Sequence, residues 1–200
     1  MSTSTSTPTM GSQPDLLNDL IEKALRLGAD AADALMVDAV SLSVSQRLGK
    51  REDLERAEAN DLGLRVFIGK RQAIVSSTDT SADTLDELAQ RAVAMAKIAT
   101  EDPFCGLADR NLLAKNWYDL DLYDSHESTA EELYDRAAIA EDAARAHPDI
   151  TNSEGADASW SANTVHLATN HGFSGSYRSS SYSISTAVVA GEGTGMERDY

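Results

Sequence analysis

The chain has 200 residues, and an apolar fraction of 42% is enough to bury the core of one domain or of two small ones. Its 33 acidic and 17 basic side chains give a formal net charge of −16, which argues against nucleic acid or an anionic membrane as the main partner. A single cysteine, Cys105, cannot form an intramolecular disulfide, and no apolar run approaches the ~20 residues that span a bilayer. We therefore expect a cytoplasmic protein that binds neither nucleic acid nor membrane.

Residues 1–13 are polar and lack the basic start and the apolar stretch of a secretory signal, so we predict a disordered tail. A first α+β domain is predicted over residues 14–100. It begins with a helix that has its cap region near Ser12 and ends near Gly28, because glycine accepts the left-handed conformation that often ends a helix. The apolar residues of this helix recur at helical spacing: Leu17, Leu20, Ile21, Ala24 and Leu25.

Alternating apolar and polar residues then predict an antiparallel sheet of about four strands. The first strand contains Leu42 and Val44, and turns are predicted at residues 48–50 and 69–71. Residues 51–60 are highly charged, and we interpret them as a polar, partly exposed strand. The predicted strands lie near residues 42–45, 51–60, 62–68 and 72–76.

A second helix is predicted after Thr80 or Ser81, either of which can cap it. Its apolar residues form one stripe: Leu85, Leu88, Ala89, Ala92, Val93 and Ala96. The two helices are expected to cover one side of the sheet. Residues 101–119 contain proline and aromatic residues without regular spacing, so they are predicted to form a linker. Within that linker, Cys105 is expected to be an unreactive, partly buried thiol.

A second α+β domain is predicted over residues 120–200. Its helix starts at a capping box in which Ser128 is the cap and Glu131 reaches back to it. The helix must end before Pro148, and a polar β-meander follows from Ile150. The predicted fold class is therefore α+β, with two small domains that each pack an antiparallel meander against helices. The second domain is expected to be incomplete, with the chain truncated before a carboxy-terminal domain.

Patterns that indicate catalysis or metal binding are weak. The chain has four histidines, and none has the His-Glu-x-x-His spacing of a helical zinc site. His166 and His171 could approach each other across a turn, but no carboxylate or cysteine stands at a supporting interval. The many serines after residue 173 have no base and orienting acid in a recognisable pattern, and the glycine-rich run 191–195 lacks the lysine of a phosphate loop. We therefore predict no catalytic, cofactor-binding or metal-binding residue in this chain.

Three motifs in the second half occur in order, at residues 151–156 (TNSEGA), 170–181 (NHGFSGSYRSSS) and 191–193 (GEG). Together they resemble the TldD/PmbA protease family, and specifically its PmbA branch, also called TldE. The first half agrees with this resemblance. Residues 42–45, 49–50, 63–69 and 72–73 resemble the amino-terminal strands of the family, and residues 102–103 and 106–108 resemble its linker. The resemblance extends from about Leu16 to Tyr200.

The resemblance implies a division of labour between two subunits. In this family a TldD-type subunit carries a His-Glu-x-x-x-His zinc motif in its carboxy-terminal half, and it pairs with a PmbA-type subunit around a peptide-cleaving chamber. The motif glutamate would act as general base for a metal-activated water, and the substrates would be unfolded or peptide-like segments. No catalytic residue of the family maps onto a position of this chain. We therefore expect an amino-terminal scaffold part that is non-catalytic by itself, with zinc only in the TldD-like partner.

Two alternatives come from other functional classes. The polar meander could be a self-contained binding module for peptide or sugar, with Trp160, Tyr177 and Tyr182 as an exposed aromatic platform. Alternatively, His166 and His171 could belong to an independent zinc hydrolase, which would require the rings within roughly 5 Å and a third ligand nearby. Exposure of the aromatic residues and clustering of metal ligands distinguish these alternatives from the scaffold.

Overall fold

The computed structural model describes residues 13–200 and confirms the predicted α+β class. The predicted helix cap at Ser12 lies outside the described residues, as does the predicted tail except for Gln13. None of the helices within the described range is long and apolar enough to cross a membrane. In chain order the main elements are α1 (Gln13–Arg26), β1 (Ala31–Arg47), β2 (Lys50–Ile68), β3 (Arg71–Ser77), α2 (Ala82–Ile98), α3 (Ala130–Arg145), β4 (Ile150–Thr169), β5 (Ser174–Ala190) and β6 (Glu197–Asp199).

The strands form a sheet with the order β3-β2-β1-β4-β5-β6. The predicted turn at residues 69–71 joins two antiparallel strands, since Ile68 pairs with Arg71 across it. The predicted break near Asn60 and Asp61 is wrong, because β2 runs without interruption from Lys50 to Ile68. Both polar side chains stay at least partly exposed within the strand, so they can be accommodated without burying a polar group. The first half therefore has three strands rather than about four.

Two compact units are interleaved along the sequence. Unit 1 comprises the described part of Met1–Val37 together with Asn60–Trp117 and Val165–Tyr177, and unit 2 comprises Asp38–Ala59, Tyr118–Thr164 and Arg178–Tyr200. They differ from the consecutive segments 14–100 and 120–200 that the sequence predicts. The reason is strand length: β1, β2, β4 and β5 have 17 to 20 residues, far beyond the usual ~5–6, and each contributes residues to both units.

Unit 1 buries the apolar stripes of α1 and α2, as the sequence predicts. Leu20 of α1, Leu88 of α2 and Leu64 of β2 are at most 1% exposed, and they belong to one hydrophobic cluster. The helix α1 is followed by Gly28 with a φ of 105°, a value that favours glycine. The N–H of Ala29 donates a hydrogen bond to the carbonyl of Ala24 at 3.1 Å and thereby satisfies one of the last carbonyl groups of the helix.

The predicted linker contains a single 3₁₀ turn, Arg110–Leu112, among its described residues. Phe104 and Trp117 are largely exposed in it, at 94% and 65%. Cys105 is a buried free thiol, which agrees with the expected burial.

Unit 2 packs α3 against β1 and β4. Leu133 and Ala137 of α3 lie in one cluster with Val44 of β1 and with Ala158 and Trp160 of β4. All five side chains are at most 3% exposed. The third helix therefore buries an alanine-rich face against the meander.

The capping box of α3 is shifted by one residue from the prediction. Thr129 is the cap, and its hydroxyl accepts from the N–H of Glu132 at 3.3 Å, while the Glu132 carboxylate accepts from the Thr129 N–H at 2.7 Å. Ser128, the predicted cap, is buried one position earlier. Glu131 instead forms an ion pair with Arg51 of β2. The predicted cap at Ser128 is therefore wrong. The sequence motif does not distinguish Ser128 from Thr129, because both residue types are good helix caps.

Candidate functional site

Three features bring polar side chains of the meander together with other elements. They are a buried carboxylate on α3, a segment that runs beside β5, and an open pocket near the β4–β5 turn. The first two belong to unit 2, and the pocket belongs to unit 1.

Glu141 is a fully buried carboxylate on α3. Its Oε1 accepts hydrogen bonds from the Ser153 hydroxyl at 2.6 Å and from the backbone N–H of Leu48 at 2.7 Å. Its Oε2 accepts longer bonds from the Gln46 side chain at 3.3 Å and from the Gly49 N–H at 3.4 Å. The carboxylate is thus paired within the protein, as a buried charge requires.

The β1–β2 turn supplies two of these donors because of its backbone conformation. Leu48 has a φ of 51° and Gly49 a φ of 73°, and two successive positive values are typical of a two-residue hairpin turn. Such a turn can direct successive N–H groups toward one anion. Burial raises the pKa of Glu141, but the hydrogen bonds to its carboxylate outweigh burial and leave the pKa below its ordinary value.

The Glu141 carboxylate has a structural role. The hydrogen bonds of Glu141 tie α3 to the β1–β2 turn and to β4, and they occupy both carboxylate oxygens. Sequence reasoning missed this residue. The signal was present, because Leu133, Ala137 and Glu141 follow at four-residue intervals on the buried face of one helix.

Residues 122–126, which we call the strap, run beside β5. The N–H of Ser180 donates to the carbonyl of Leu122 at 2.9 Å. The guanidinium of Arg178 lies 3.8 Å from the centre of the Tyr123 ring and donates to its hydroxyl at 2.6 Å. The strap is thus held to β5 by one backbone hydrogen bond and by the Arg178–Tyr123 contact.

A tyrosine of β5 makes the second attachment of the strap. The hydroxyl of Tyr182 donates to the carboxylate of Asp124 at 3.1 Å or to the carbonyl of His126 at 3.0 Å. Burial and the bond to Asp124 raise the pKa of Tyr182. Hydrogen bonds from the His126 N–H and from Tyr182 in turn lower the pKa of Asp124. Tyr182 therefore serves a contact within unit 2.

The exposed row of aromatic residues that the alternative binding module requires does not form. Trp160 is 3% exposed and belongs to the core of unit 2. Tyr182 is 37% exposed and bonded to the strap, whereas Tyr177 is 55% exposed and belongs to unit 1. Alternation along a strand assigns residues to two faces, but it cannot tell which face a helix covers. An aromatic platform built on these three residues is therefore not supported.

Unit 1 contains an open pocket of about 240 Å³. Residues from α1, the predicted linker, β4 and β5 line it: Pro14, Leu17, Trp117, His166, Leu167, Ser174, Gly175 and Ser176. His166 and two of the serines from the family-like motif therefore meet at one place. No carboxylate is among these lining residues, so the pocket does not assemble the acid that orients a serine–histidine pair.

The histidines are not assembled into a metal site. Among residues 13–200, no three His, Cys, Asp or Glu side chains lie close enough together to hold a metal ion. His166 lines the pocket, and the Nδ1 atom of His171 is buried without a hydrogen-bond partner among the described residues. His126 instead lies 3.3 Å from Glu132 at the start of α3. The described residues therefore do not fit a zinc ion.

The glycine-rich run after β5 forms a tight turn. Gly191 has a φ of 80°, and a Cβ at this position would lie 2.5 Å from the Gly195 carbonyl oxygen. The Gly191 carbonyl accepts from the hydroxyl of Thr151 at 2.7 Å. After the turn, β6 pairs antiparallel with the end of β5, since Val188 faces Asp199. The glycines thus allow close backbone approach within the protein.

Comparison with protein-family models identifies the class of protein that has this fold. Residues 32–96 match the model described as PmbA/TldA metallopeptidase domain 1, and residues 123–200 match the PmbA/TldA metallopeptidase central domain. The chain therefore belongs to the PmbA/TldD metallopeptidase family, as the sequence motifs indicate.

Individual relatives agree with this assignment. The chain is 34% identical over 192 residues to Metalloprotease PmbA of Escherichia coli O157:H7, a match that covers 94% of this chain and 43% of that protein. It is 33% identical over 181 residues to the PmbA homolog of Haemophilus influenzae, covering 90% of this chain and 40% of that protein. The chain thus spans less than half the length of these relatives.

Solved structures show the same fold at lower identity. A putative modulator of DNA gyrase from Bacteroides thetaiotaomicron superposes with a TM-score of 0.82 at 22% identity, over 94% of this chain and 43% of that one. TldE from Thermococcus kodakarensis superposes with a TM-score of 0.71 at 15% identity, over 90% of this chain and 40% of that one. At these identities the likeness establishes the fold alone.

Proposed function

We propose that this chain forms the amino-terminal scaffold part of a PmbA/TldE-like subunit. That subunit pairs with a TldD-like subunit in a cytoplasmic metalloprotease that cleaves unfolded or peptide substrates. By itself the chain is non-catalytic. The zinc belongs to the partner subunit, whose His-Glu-x-x-x-His motif supplies the ligands and the general base for hydrolysis.

The observation that carries this proposal is the 34% identity to Metalloprotease PmbA over 94% of the chain. The PmbA homolog of Haemophilus influenzae, 33% identical over 90% of this chain, supports the same branch of the family. Because the match covers 43% of the PmbA relative, the activity and the partner of the longer protein are part of the proposal.

The polar groups of unit 2 support a scaffold role. The Glu141 carboxylate bonds to the β1–β2 turn and to β4, and the Tyr182 hydroxyl bonds to the strap. The side chains that the sequence gathers in the meander thus hold its own elements in place. A meander that is hydrogen-bonded to its helix and to the strap suits a surface on which a second subunit assembles.

The experiment is reconstitution of proteolysis with purified components. The full-length subunit that contains this chain, a TldD-like subunit, and a one-to-one mixture of both are incubated with an unfolded peptide that fluoresces on cleavage. We expect cleavage by the mixture, loss of activity with 1,10-phenanthroline, and one zinc ion per TldD-like subunit by metal analysis. Size-exclusion chromatography with light scattering should give the mass of a heterodimer.

A matched control replaces the glutamate of the partner's zinc motif by glutamine, which should abolish cleavage and leave the heterodimer intact. Chelator-sensitive cleavage by the PmbA-like subunit alone, or zinc bound to it at one equivalent, would overturn the division of labour. A mixture that stays as two separate monomers would overturn the scaffold role.

A further inference from the structure

The pocket of unit 1 has polar groups that the fold does not use. The imidazole of His166 and the hydroxyls of Ser174 and Ser176 line it, and these side chains form no hydrogen bond with any residue in the described range. A neutral imidazole offers one donor and one acceptor, and each hydroxyl can act as both. The pocket can therefore pair with a ligand hydroxyl in either direction.

The described lining of the pocket contains no acidic side chain, no lysine and no arginine, although the whole chain carries a formal charge of −16. A phosphate, a carboxylate or an ammonium group would find no fixed opposite charge there, and its desolvation would not be compensated. The lining favours a neutral ligand.

The size and the aromatic surface of the pocket restrict that ligand further. A volume of about 240 Å³ is below the ~300–1,000 Å³ of pockets that hold drug-sized molecules or cofactors. The indole of Trp117 contributes to the lining and is 65% exposed, so it offers a ring surface for stacking. Leu17 and Leu167 add apolar lining. One ring with an apolar body fits this space.

The distribution of polar atoms separates two ring-shaped ligands. A sugar carries hydroxyls around its whole ring, and adjacent hydroxyls are best bound in pairs by planar carboxylate, amide or guanidinium groups. Such groups do not occur among the described lining residues. A phenol has an apolar body and one polar end, and it matches an apolar and aromatic surface beside a few hydroxyls.

From these observations we propose that the pocket binds the side chain of a tyrosine presented by a peptide. The phenol ring stacks on Trp117, and its hydroxyl exchanges hydrogen bonds with His166 and with Ser174 or Ser176. Every lining residue belongs to unit 1 of this chain. The proposal is therefore independent of the heterodimer proposed above, and the two can fail separately.

The test is a titration of the 200-residue chain with N-acetyl-tyrosinamide, followed by ¹H–¹⁵N NMR. We expect saturable shifts of the backbone amides at residues 174–176 and of the Trp117 indole N–H, with a dissociation constant on the order of 1 mM. The indole N–H of Trp160 is an internal control, because that side chain is buried in the core of unit 2. N-acetyl-phenylalaninamide should bind about 3–10-fold more weakly, since it lacks the hydroxyl.

Two pocket variants, each with a matched control variant, separate binding from folding. Trp117→Ala removes an exposed ring from the pocket and should weaken binding at least about tenfold, whereas Tyr118→Ala removes the 90% exposed neighbouring ring and should leave binding unchanged. The double variant Ser174→Ala/Ser176→Ala should weaken binding of the tyrosine probe and reduce its advantage over the phenylalanine probe. Ser183→Ala is its control on the same strand, because Ser183 is exposed and outside the pocket lining.

Three results would overturn the proposal. The first is a linear, unsaturable response to the tyrosine probe. The second is equal affinity for the tyrosine and phenylalanine probes, which would eliminate the hydroxyl pairing. The third is tighter binding of glucose than of the tyrosine probe, which would make the pocket a sugar site.

Discussion

The carboxylate of Glu141 accepts a hydrogen bond from the backbone N–H of Leu48 at 2.7 Å, across 93 positions of sequence. Leu48 has a φ of 51°, and a non-glycine residue in this left-handed region costs about 1–2 kcal/mol. The buried carboxylate stabilises that conformation because it gives the N–H of the turn a charged acceptor.

The substitution Glu141→Gln is expected to destabilise the chain by about 2 kcal/mol, because hydrogen bonds to a charged group are worth more than neutral ones and a buried donor would be left unpaired. The amide oxygen of glutamine can replace one carboxylate oxygen. The amide nitrogen would then face either Gln46 and Gly49, which donate to Oε2, or Leu48 and Ser153, which donate to Oε1. Urea denaturation followed by the fluorescence of the buried Trp160 measures the change.

Asp142→Asn is the control for that substitution, since the neighbouring side chain is 78% exposed. It should change the free energy of unfolding by less than about 0.5 kcal/mol. Equal effects of the two substitutions would show that the buried carboxylate contributes nothing specific.

The same residue predicts how stability depends on pH. The pKa of Glu141 is lowered in the folded chain from an ordinary value of 4.5. Its stabilisation is therefore fully present above about pH 4.5 and is lost as the pH falls through the folded pKa. The stability difference between the wild type and Glu141→Gln should be constant from pH 7 to 5 and shrink in more acidic solution. Urea midpoints measured across this range test it, and a difference that grows on acidification would contradict it.

Gly155 of β4 is predicted to tolerate no side chain without a large loss of stability. It has a φ of 115°, and an added Cβ would lie 2.7 Å from the backbone oxygen of Gln46. Gly155→Ala should therefore combine backbone strain with a clash against backbone, and we expect a loss above about 2 kcal/mol. Gly172→Ala is the matched control, because Gly172 has a φ of 89° and no atom within 4 Å of the added Cβ. Thermal unfolding should show a clearly larger loss for Gly155→Ala.

Local patterns predicted much of the fold. The hairpin turns near Gly49 and Gly69, the stripes of α1 and α2, and the end of α3 before Pro148 all depend on residues close in sequence. Periodicity and turn chemistry are sufficient for such features. Local chemistry alone also explains the one-residue error at the cap of α3, because Ser128 and Thr129 both carry a hydroxyl that can cap a helix.

Features that depend on distant contacts were not predictable in this way. The bond from Gln46 to Glu141 spans 95 positions, and the pocket combines α1 with β5. Strand alternation placed Trp160 on a face of β4, but only the packing of α3 decides that this face is buried. The units are interleaved because the long strands contribute residues to both hydrophobic cores. Local sequence patterns do not predict such a division.

The ion pair between Asp33 and Arg65 is expected to stabilise unit 1 by more than a surface pair. Asp33 is 8% exposed and accepts from the Arg65 Nε at 3.0 Å. Arg65→Met would leave this carboxylate unpaired, at a cost of about 1–2 kcal/mol. This is below the ~3–5 kcal/mol of a fully buried pair, because the Arg65 side chain is 38% exposed.

Urea denaturation of three variants tests this pair. Arg71→Met, which removes a largely exposed pair with Glu101, should cost less than about 0.5 kcal/mol. The double variant Asp33→Asn/Arg65→Met should recover part of the loss, because the unpaired charge is gone. A double variant no more stable than Arg65→Met would show that the loss comes from the apolar contacts of the arginine stem.

The contact between Arg178 and Tyr123 predicts the dynamics of the strap. Arg178 donates to the Tyr123 hydroxyl and lies over its ring, while the adjacent Ser180 N–H donates to the Leu122 carbonyl. In Arg178→Met the strap should open more often, so the Ser180 amide should exchange with solvent about 3–10-fold faster. Exchange measured by NMR reports this directly. Arg198→Met, which removes the ion pair with Glu154, should leave the rate unchanged. Equal rates in wild type and Arg178→Met would mean that the hydrogen bonds of Tyr182 suffice to hold the strap.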